Sequence, residues 1–201
     1  MNIIHSVSRA SWAGLLLAGG DSRRMGSNKA ELSCANLKGE SLLQHACQQL
    51  RAVIDNNFLL GKQPESCPTD FAFIADTALS GGALPALQEF CRNSTFEHLM
   101  LIPIDMPLLD AVDLQSLMKL AESSKGKSFI CQNQDQQFGF PAVLHNSDFS
   151  AIEKVEHRKL FVALKGIGAE VVPANLISSQ NLLNVNTPQQ WQNFSAMSNN
   201  D

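Results

Sequence analysis

The chain has 201 residues and is weakly acidic, with 15 lysine and arginine residues, 19 aspartate and glutamate residues and a net charge of −4. This charge argues against a nucleic-acid binder or a membrane-surface protein, because both of those partners are anionic and favour a basic face. Apolar residues make up 44% of the chain, and no apolar stretch approaches the roughly 20 residues of a membrane span. We therefore expect a globular protein that binds neither nucleic acid nor membrane.

The cysteines and the N-terminal segment bear on the cellular compartment. The cysteines are odd in number and widely spaced, without a Cys-x-x-Cys pair: Cys34, Cys47, Cys67, Cys91 and Cys131. This pattern predicts neither a disulfide framework nor a zinc site, and it favours reduced thiols in the cytoplasm. The apolar run after Arg9 is too short for a signal peptide and has no clear cleavage site, so we expect a buried strand there.

Short apolar runs spaced along the chain predict β-strands. The first, residues 12–18, is continuous and ends in Gly-Gly, which is typical of a buried parallel strand. Further strands are predicted at 57–61, 71–75, 98–104, 128–132, 138–145 and 169–174. Pro141 weakens the prediction for residues 138–145, because proline has no N–H to donate to a neighbouring strand.

Segments with helical periodicity alternate with these strands. They lie at 41–54, 83–93, 111–124, 158–168 and after Pro188. Ser41 and Asp110 are the expected N-caps of the first and third helices. The alternation predicts an α/β fold of Rossmann-like, three-layer α/β/α type, with a mostly parallel sheet. We expect a single domain over residues 1–201, with a core at about 12–194 and flexible ends.

The loop after the first strand is the strongest candidate for a binding site, because ligands of open α/β sheets lie beyond the carboxyl ends of the strands. Gly19 and Gly20 permit left-handed backbone and close approach of a ligand, and free amides in such a loop form an anion nest. Arg23, Arg24 and Lys29 add three cations within seven residues, which suits a triphosphate. The loop matches neither the Walker A nor the Gly-x-Gly-x-x-Gly pattern. The alternative is a solvated turn with incidental arginines.

Two further segments place polar side chains at element ends. Asp105 follows the predicted strand at 98–104 and is a natural Mg²⁺ ligand, although an aspartate before Met-Pro can also simply hold a turn. Asn186 and Thr187 precede Pro188. Thr187 and Pro188 suit the start of a helix, and that cap is the alternative explanation of this segment.

These segments carry a family resemblance. LAGGDSRRMGSNKAEL resembles the nucleotidyltransferase signature Leu-Ala-Gly-Gly-x-Ser-x-Arg-Met-Gly-x-x-Lys, and within that group the chain is similar to the molybdenum cofactor guanylyltransferase (MobA-like) family. The Asp-Met-Pro that begins at Asp105 and the Asn-Val-Asn-Thr-Pro that contains Asn186 also resemble family motifs. The chain has Asn28 where the family usually has aspartate, Ala83 where it has proline, and Phe140 where many members have histidine.

The resemblance implies a nucleotidyltransferase fold and a set of site residues. The implied nucleotide-binding residues are Leu17, Ala18, Gly19, Gly20, Arg24, Lys29, Asp76 and Asp105. Of these, Arg24, Lys29 and Asp105 are implied as catalytic, and Asp105 and Asn186 as the ligands of a Mg²⁺ cofactor. Asp76 would accept hydrogen bonds from the guanine edge, which offers two donors.

The implied reaction is the transfer of GMP from GTP to Mo-molybdopterin, which yields the guanine dinucleotide cofactor and pyrophosphate. The implied partners are GTP, Mo-molybdopterin and molybdoenzyme maturation factors. One alternative is a cytidylyltransferase or a sugar-phosphate nucleotidyltransferase of the same fold, which would differ in nucleotide preference. Gly19-Gly20 favours guanine, since cytidylyl relatives usually have Ala-Gly there. Another alternative is a degenerate homologue that binds nucleotide without releasing pyrophosphate.

Overall fold

The computed structural model describes residues 11–18, 28–61, 68–75, 83–132, 138–156 and 159–197. The strands are β1 (Trp12–Leu17), β2 (Asn56–Gly61), β3 (Ala72–Ala75), β4 (His98–Pro103), β5 (Phe129–Gln132), β6 (Phe138–His145) and β7 (Glu170–Val171). The helices are α1 (Leu42–Arg51), α2 (Ala83–Asn93), α3 (Ala111–Ser123), α4 (Phe149–Glu153), α5 (Leu160–Gly166) and α6 (Pro188–Ser195). Single 3₁₀ turns are formed by Lys29–Glu31, Ala35–Leu37 and Asn146–Asp148.

The seven strands form one sheet in the order β3-β2-β1-β4-β6-β5-β7. Only β6 runs antiparallel to its neighbours, β4 and β5, so the expected mostly parallel α/β sheet is confirmed. The chain runs outward from β1 through β2 to β3 and then returns to place β4 on the other side of β1. Strand order therefore reverses between β1 and β4, and the carboxyl ends of these two strands flank the crevice where ligands bind in such sheets.

Helices cover both faces of the sheet, and all six residues of β1 are consequently buried. On one face, α1 and α3 pack against the sheet through buried side chains that include Leu43, Cys47, Leu50, Leu114 and Leu117. On the other face, α2, α4 and α5 do the same through Leu84, Leu87, Ile152, Leu160 and Leu164. The predicted three-layer α/β/α architecture is thus confirmed. No helix in the described ranges is long and apolar enough to cross a membrane.

Pro141 lies in an inner strand, which is a rare place for proline. On the β5 side the register shifts between Ile130 and Cys131, so that Ile130 pairs with Ala142 and Cys131 pairs with Gly139. On the β4 side, pairing begins only at Ala142. Pro141 therefore occupies the irregularity, where its missing N–H interrupts neither ladder.

The predicted helix starts are confirmed at Ser41 and Asp110, each of which forms a reciprocal capping box with the third helical residue. Helix α4 is absent from the predicted elements. Its single turn places Phe149 and Ile152 in the core, and one turn is too short to show a helical period in the sequence.

No disulfide joins the four cysteines within the described ranges, which are Cys34, Cys47, Cys91 and Cys131. Burial raises the pKa of Cys91 and of Cys131 to about 12. Both thiols therefore remain protonated and unreactive at neutral pH, and they act as small apolar groups in the core.

Candidate active site

The crevice between β1 and β4 brings three predicted site residues into contact. Leu17, the last residue of β1, pairs in register with Pro103 of β4, and Asp105 follows two residues later. The Lys29 ammonium donates a hydrogen bond of 2.8 Å to Asp105 Oδ2 and one of 2.7 Å to Asn186 Oδ1. A lysine from the segment after β1, an aspartate after β4 and the side-chain amide of Asn186 thus lie in direct contact.

Lys29 is positioned by the 3₁₀ turn that it begins. Asn28 is the N-cap of this turn, and its side-chain oxygen accepts the Ala30 N–H at 3.3 Å. Ala30 is buried in the core, and the Leu42 N–H donates to Leu32 O at 2.9 Å, which ties the turn to the start of α1. Asparagine and aspartate cap about equally well, so Asn28 can fulfil this capping role although the related family usually has aspartate.

Asn186 is positioned by hydrogen bonds of its own backbone and of the residue before it. The Val185 N–H donates to the backbone oxygen of Asp105 at 2.9 Å, and the Val185 side chain is fully buried. The Asn186 N–H donates to Gln190 Oε1 at 2.8 Å, while Thr187 caps α6. These contacts fix the backbone of Asn186 beside Asp105, so that both side-chain oxygens reach Lys29.

Gln190 is a site residue that the sequence prediction leaves out. Its N–H donates to Thr187 Oγ1 at 3.2 Å, as the third residue of a capped helix does. In an ordinary capping box its side chain would return to the N–H of the cap itself, but here it reaches one residue further, to Asn186. The Thr-x-x-Gln pattern in the sequence is the signal that could have identified it.

The environment of the three residues favours a cation. The side chains of Lys29 and Asp105 are only 13% and 18% exposed, so solvent screens their attraction less than at an open surface. One carboxylate oxygen and one amide oxygen converge on a single cationic atom. Hard oxygen ligands of this kind are those that Mg²⁺ prefers. Asp105 and Asn186 therefore fit a divalent metal ion, with the ammonium as its stand-in.

The other predicted nucleotide-binding residues fall into two groups. Leu17 and Ala18 lie at the end of β1, beside the crevice, and the Ala18 N–H donates to Leu60 O at 3.0 Å within the sheet. The remaining predicted residues, Gly19, Gly20, Arg24 and Asp76, lie outside the described residues. Their roles stay predictions.

A cavity of about 270 Å³ lies further along the same edge of the sheet. It is lined by Gln132 at the end of β5, by Val172 and Pro173 after β7, and by Ile177 and Leu182 from the segment that leads to Asn186. Most of its lining is apolar. One lining residue, Leu182, precedes Asn186 by four positions in the sequence, so a single segment contributes to both the cavity and the group formed with Lys29 and Asp105.

A second group of side chains that could bind a metal ion lies at the opposite edge of the sheet, where β4 begins. Ligand atoms of Glu97, His98 and His145 lie within 4.8 Å of one another. His98 is the first residue of β4, which places it roughly 20 Å along the strand direction from Asp105. His98 is buried and stacks on Trp12 with ring centroids 4.5 Å apart. This group is therefore separate from the predicted metal ligands.

A hydrogen bond from the backbone defines which ring nitrogen of His145 carries the proton. The Ser147 N–H donates to His145 Nδ1 at 3.1 Å, so the proton of a neutral His145 ring resides on Nε2. That nitrogen faces the Glu97 carboxylate at 4.0 Å. Ligation of a metal by Nε2 would require His145 to give up the hydrogen bond from Ser147.

Burial of His98 predicts a loss of stability in acid. Burial lowers the pKa of His98, against the opposing effect of Glu97, and burial lowers the pKa of His45 as well. The unfolded chain therefore binds protons more readily than the folded protein, and the free energy of unfolding should decrease as pH falls below about 6.5. Urea titrations between about pH 8 and pH 5 would measure this slope. The His98→Phe variant retains an aromatic ring on Trp12 and should show a smaller slope; an unchanged slope would contradict this explanation.

The chain is similar in sequence and in fold to known proteins. The chain is 30% identical over 190 residues, 87% of each protein, to a probable molybdenum cofactor guanylyltransferase of Rhodopirellula baltica. The crystal structure of molybdopterin-guanine dinucleotide biosynthesis protein A from Archaeoglobus fulgidus has the same fold, with a TM-score of 0.72 and 19% identity over 90% of this chain and 95% of that one. A Mycobacterium tuberculosis protein solved as a manganese complex matches with a TM-score of 0.60 and 16% identity over 85% and 95% of the two chains.

The family described as the MobA-like NTP transferase domain matches residues 14–169, which is more than half of the chain. The matched region contains most of β1, all of β2 to β6, the turn that carries Lys29, and Asp105. The chain belongs to the MobA-like NTP transferase family.

Proposed function

We propose that this protein is a molybdenum cofactor guanylyltransferase, which transfers GMP from GTP to Mo-molybdopterin and releases pyrophosphate. The observation that carries the proposal is the convergence of Asp105 and Asn186 on one cationic atom where strand order reverses. Relatives of similar length that carry this name support the choice of nucleotide and acceptor.

The reaction is an in-line attack of the acceptor phosphate on the α-phosphorus of GTP. Nucleophile and target are both anionic, so the barrier is largely electrostatic and positional. Lys29, with Arg24, holds the β- and γ-phosphates and stabilises the charge of the departing pyrophosphate. A Mg²⁺ ion held by Asp105 and Asn186 supplies further neutralisation of the α-phosphate when it is bound. No side-chain nucleophile is required.

We propose that the two substrates bind at different places along the edge of the sheet that carries Asp105. In this proposal Leu17, Ala18, Gly19 and Gly20 bind the nucleotide, and Asp76 accepts hydrogen bonds from the guanine base. The cavity lined by Val172 and Leu182 is the proposed acceptor side, because it is apolar enough for a heteroaromatic ring. In this proposal the protein works in the cytoplasm as a single domain and delivers its product to molybdoenzyme maturation factors.

Thermal stabilisation by nucleotides tests the proposal. A ligand that binds only the folded protein raises the unfolding midpoint in proportion to its occupancy. We expect the largest rise with GTP, and a larger rise with Mg²⁺ than without it, when GTP, CTP, ATP and UTP are compared by differential scanning fluorimetry. A selective rise with CTP would indicate a cytidylyltransferase, and no rise with any nucleotide would contradict the proposal.

A further inference from the structure

The Lys29 ammonium lies where the divalent metal ion is proposed to bind. Its nitrogen is 2.8 Å from Asp105 Oδ2 and 2.7 Å from Asn186 Oδ1, and both Lys29 and Asp105 are largely withdrawn from solvent. The two oxygens it contacts are the two proposed metal ligands. Lys29 is thus bound to the metal ligands, although the sequence alone predicts a phosphate contact for it.

The ammonium and the metal ion exclude one another at this position. A Mg²⁺ ion bound to both oxygens would lie about 2.1 Å from each, between the same two atoms that hold the ammonium. Two cations cannot share that space, and the low exposure of the pair leaves little water to screen their repulsion. The ion can bind to both oxygens only after Lys29 has left them.

A triphosphate is the group that can draw Lys29 away, because phosphate oxygens are strong acceptors for an ammonium ion. Lys29 needs only a side-chain movement, since its backbone is held in the capped 3₁₀ turn with Ala30 in the core. We propose that Lys29 excludes the divalent metal ion from Asp105 and Asn186 until a nucleoside triphosphate engages the ammonium, so that metal and nucleotide enter together. This inference rests on the proposed function for the identity of the metal ligands.

Mn²⁺ binding without nucleotide tests the exclusion directly, with free Mn²⁺ measured by its electron paramagnetic resonance signal. We expect Lys29→Met to bind Mn²⁺ at least tenfold more tightly than the wild type. Lys29→Gln, which keeps a hydrogen-bond donor but has no charge, should show the same direction of change and provides a second variant if Lys29→Met folds poorly. Because this measurement uses only the metal, it remains informative even if the protein transfers no GMP.

Two controls test whether the gain in Mn²⁺ affinity arises from the loss of the Lys29 ammonium beside Asp105. Lys119 is an exposed lysine of α3, and Lys119→Met removes the same charge without a gain in Mn²⁺ affinity. Adding Asp105→Asn to Lys29→Met should abolish the gain, because the carboxylate ligand is lost. The proposal is overturned if both Lys29 variants bind Mn²⁺ no more tightly than Lys119→Met.

Wild-type crystals test the release of Lys29. Anomalous scattering should show manganese between Asp105 and Asn186 in crystals soaked with MnCl₂ and GTP, with the Lys29 ammonium moved to a phosphate. Crystals soaked with MnCl₂ alone should show no peak there at the same concentration. A peak with MnCl₂ alone, or no peak in either soak, would contradict the proposal.

Discussion

Replacing Asp105 by asparagine is expected to lower the rate of GMP transfer by about 10²- to 10³-fold, the loss typical of removing one strong electrostatic stabiliser from an active site. The carboxylate is the only charged oxygen among the two proposed metal ligands. Asparagine has nearly the same shape and can still accept a hydrogen bond from the Lys29 ammonium. The protein should therefore remain folded while the metal site loses most of its attraction for a divalent ion.

The rate would be measured as pyrophosphate release in the presence of Mo-molybdopterin, GTP and Mg²⁺. Asp110→Asn is the matched control, because it makes the same change five residues away at the N-cap of α3. Asparagine caps helices about as well as aspartate, so this control should retain its rate and stability. Full turnover by a folded Asp105→Asn protein would show that Asp105 has no catalytic role.

The Gly14→Ala substitution is expected to destabilise the protein by about 3 kcal/mol, at the upper end of the usual cost of overpacking a core. A Cβ atom at Gly14 would lie 2.4 Å from Asn57 Oδ1 and 2.7 Å from Leu50 Cγ and Cδ2. Neither neighbour can move easily. Asn57 is the parallel partner of Gly14 on β2, and its amide donates to Ile54 O at 2.8 Å, while Leu50 is fully buried on α1.

At this chain length the expected loss corresponds to a fall in the unfolding midpoint of roughly 10 °C, which calorimetry or urea denaturation would measure. Gly139→Ala is the matched control. Gly139 also lies in an inner strand, but a Cβ atom there would meet no atom of the described residues within 4 Å. We expect its effect to stay within about 0.5 kcal/mol. Equal losses in the two variants would show that the packing around Gly14 is not the cause.

The parts of this protein that were predictable from sequence are those with local causes. The caps at Ser41, Asp110 and Thr187 depend on hydrogen bonds to residues no more than three positions away, so their residue types identify them. The strand at Trp12–Leu17 is equally clear, because burial on both faces requires a continuous apolar run. The positions of Lys29, Asp105 and Asn186 at strand or helix ends followed from such local elements and from the family resemblance.

The parts that were not predictable depend on contacts between distant segments. The antiparallel direction of β6 and the placement of Pro141 in a register shift require knowledge of both neighbouring strands. The pairing of Lys29 with Asp105 and Asn186 spans 76 and 157 positions. The sequence predicts a phosphate contact for this lysine, because charge and spacing reveal what a side chain can bind and not which group it contacts in the folded protein.

The hydrogen bond from the Val185 N–H to the Asp105 backbone oxygen has a consequence for the order of events during synthesis. All seven strands of the sheet lie before residue 172, so they leave the ribosome before the segment that carries Asn186. The segment that carries Asn186 docks only afterwards, when α6 can form and Val185 can enter its buried position beside Phe194. A nascent chain therefore contains every strand of the sheet before it contains the residue that completes the proposed metal site.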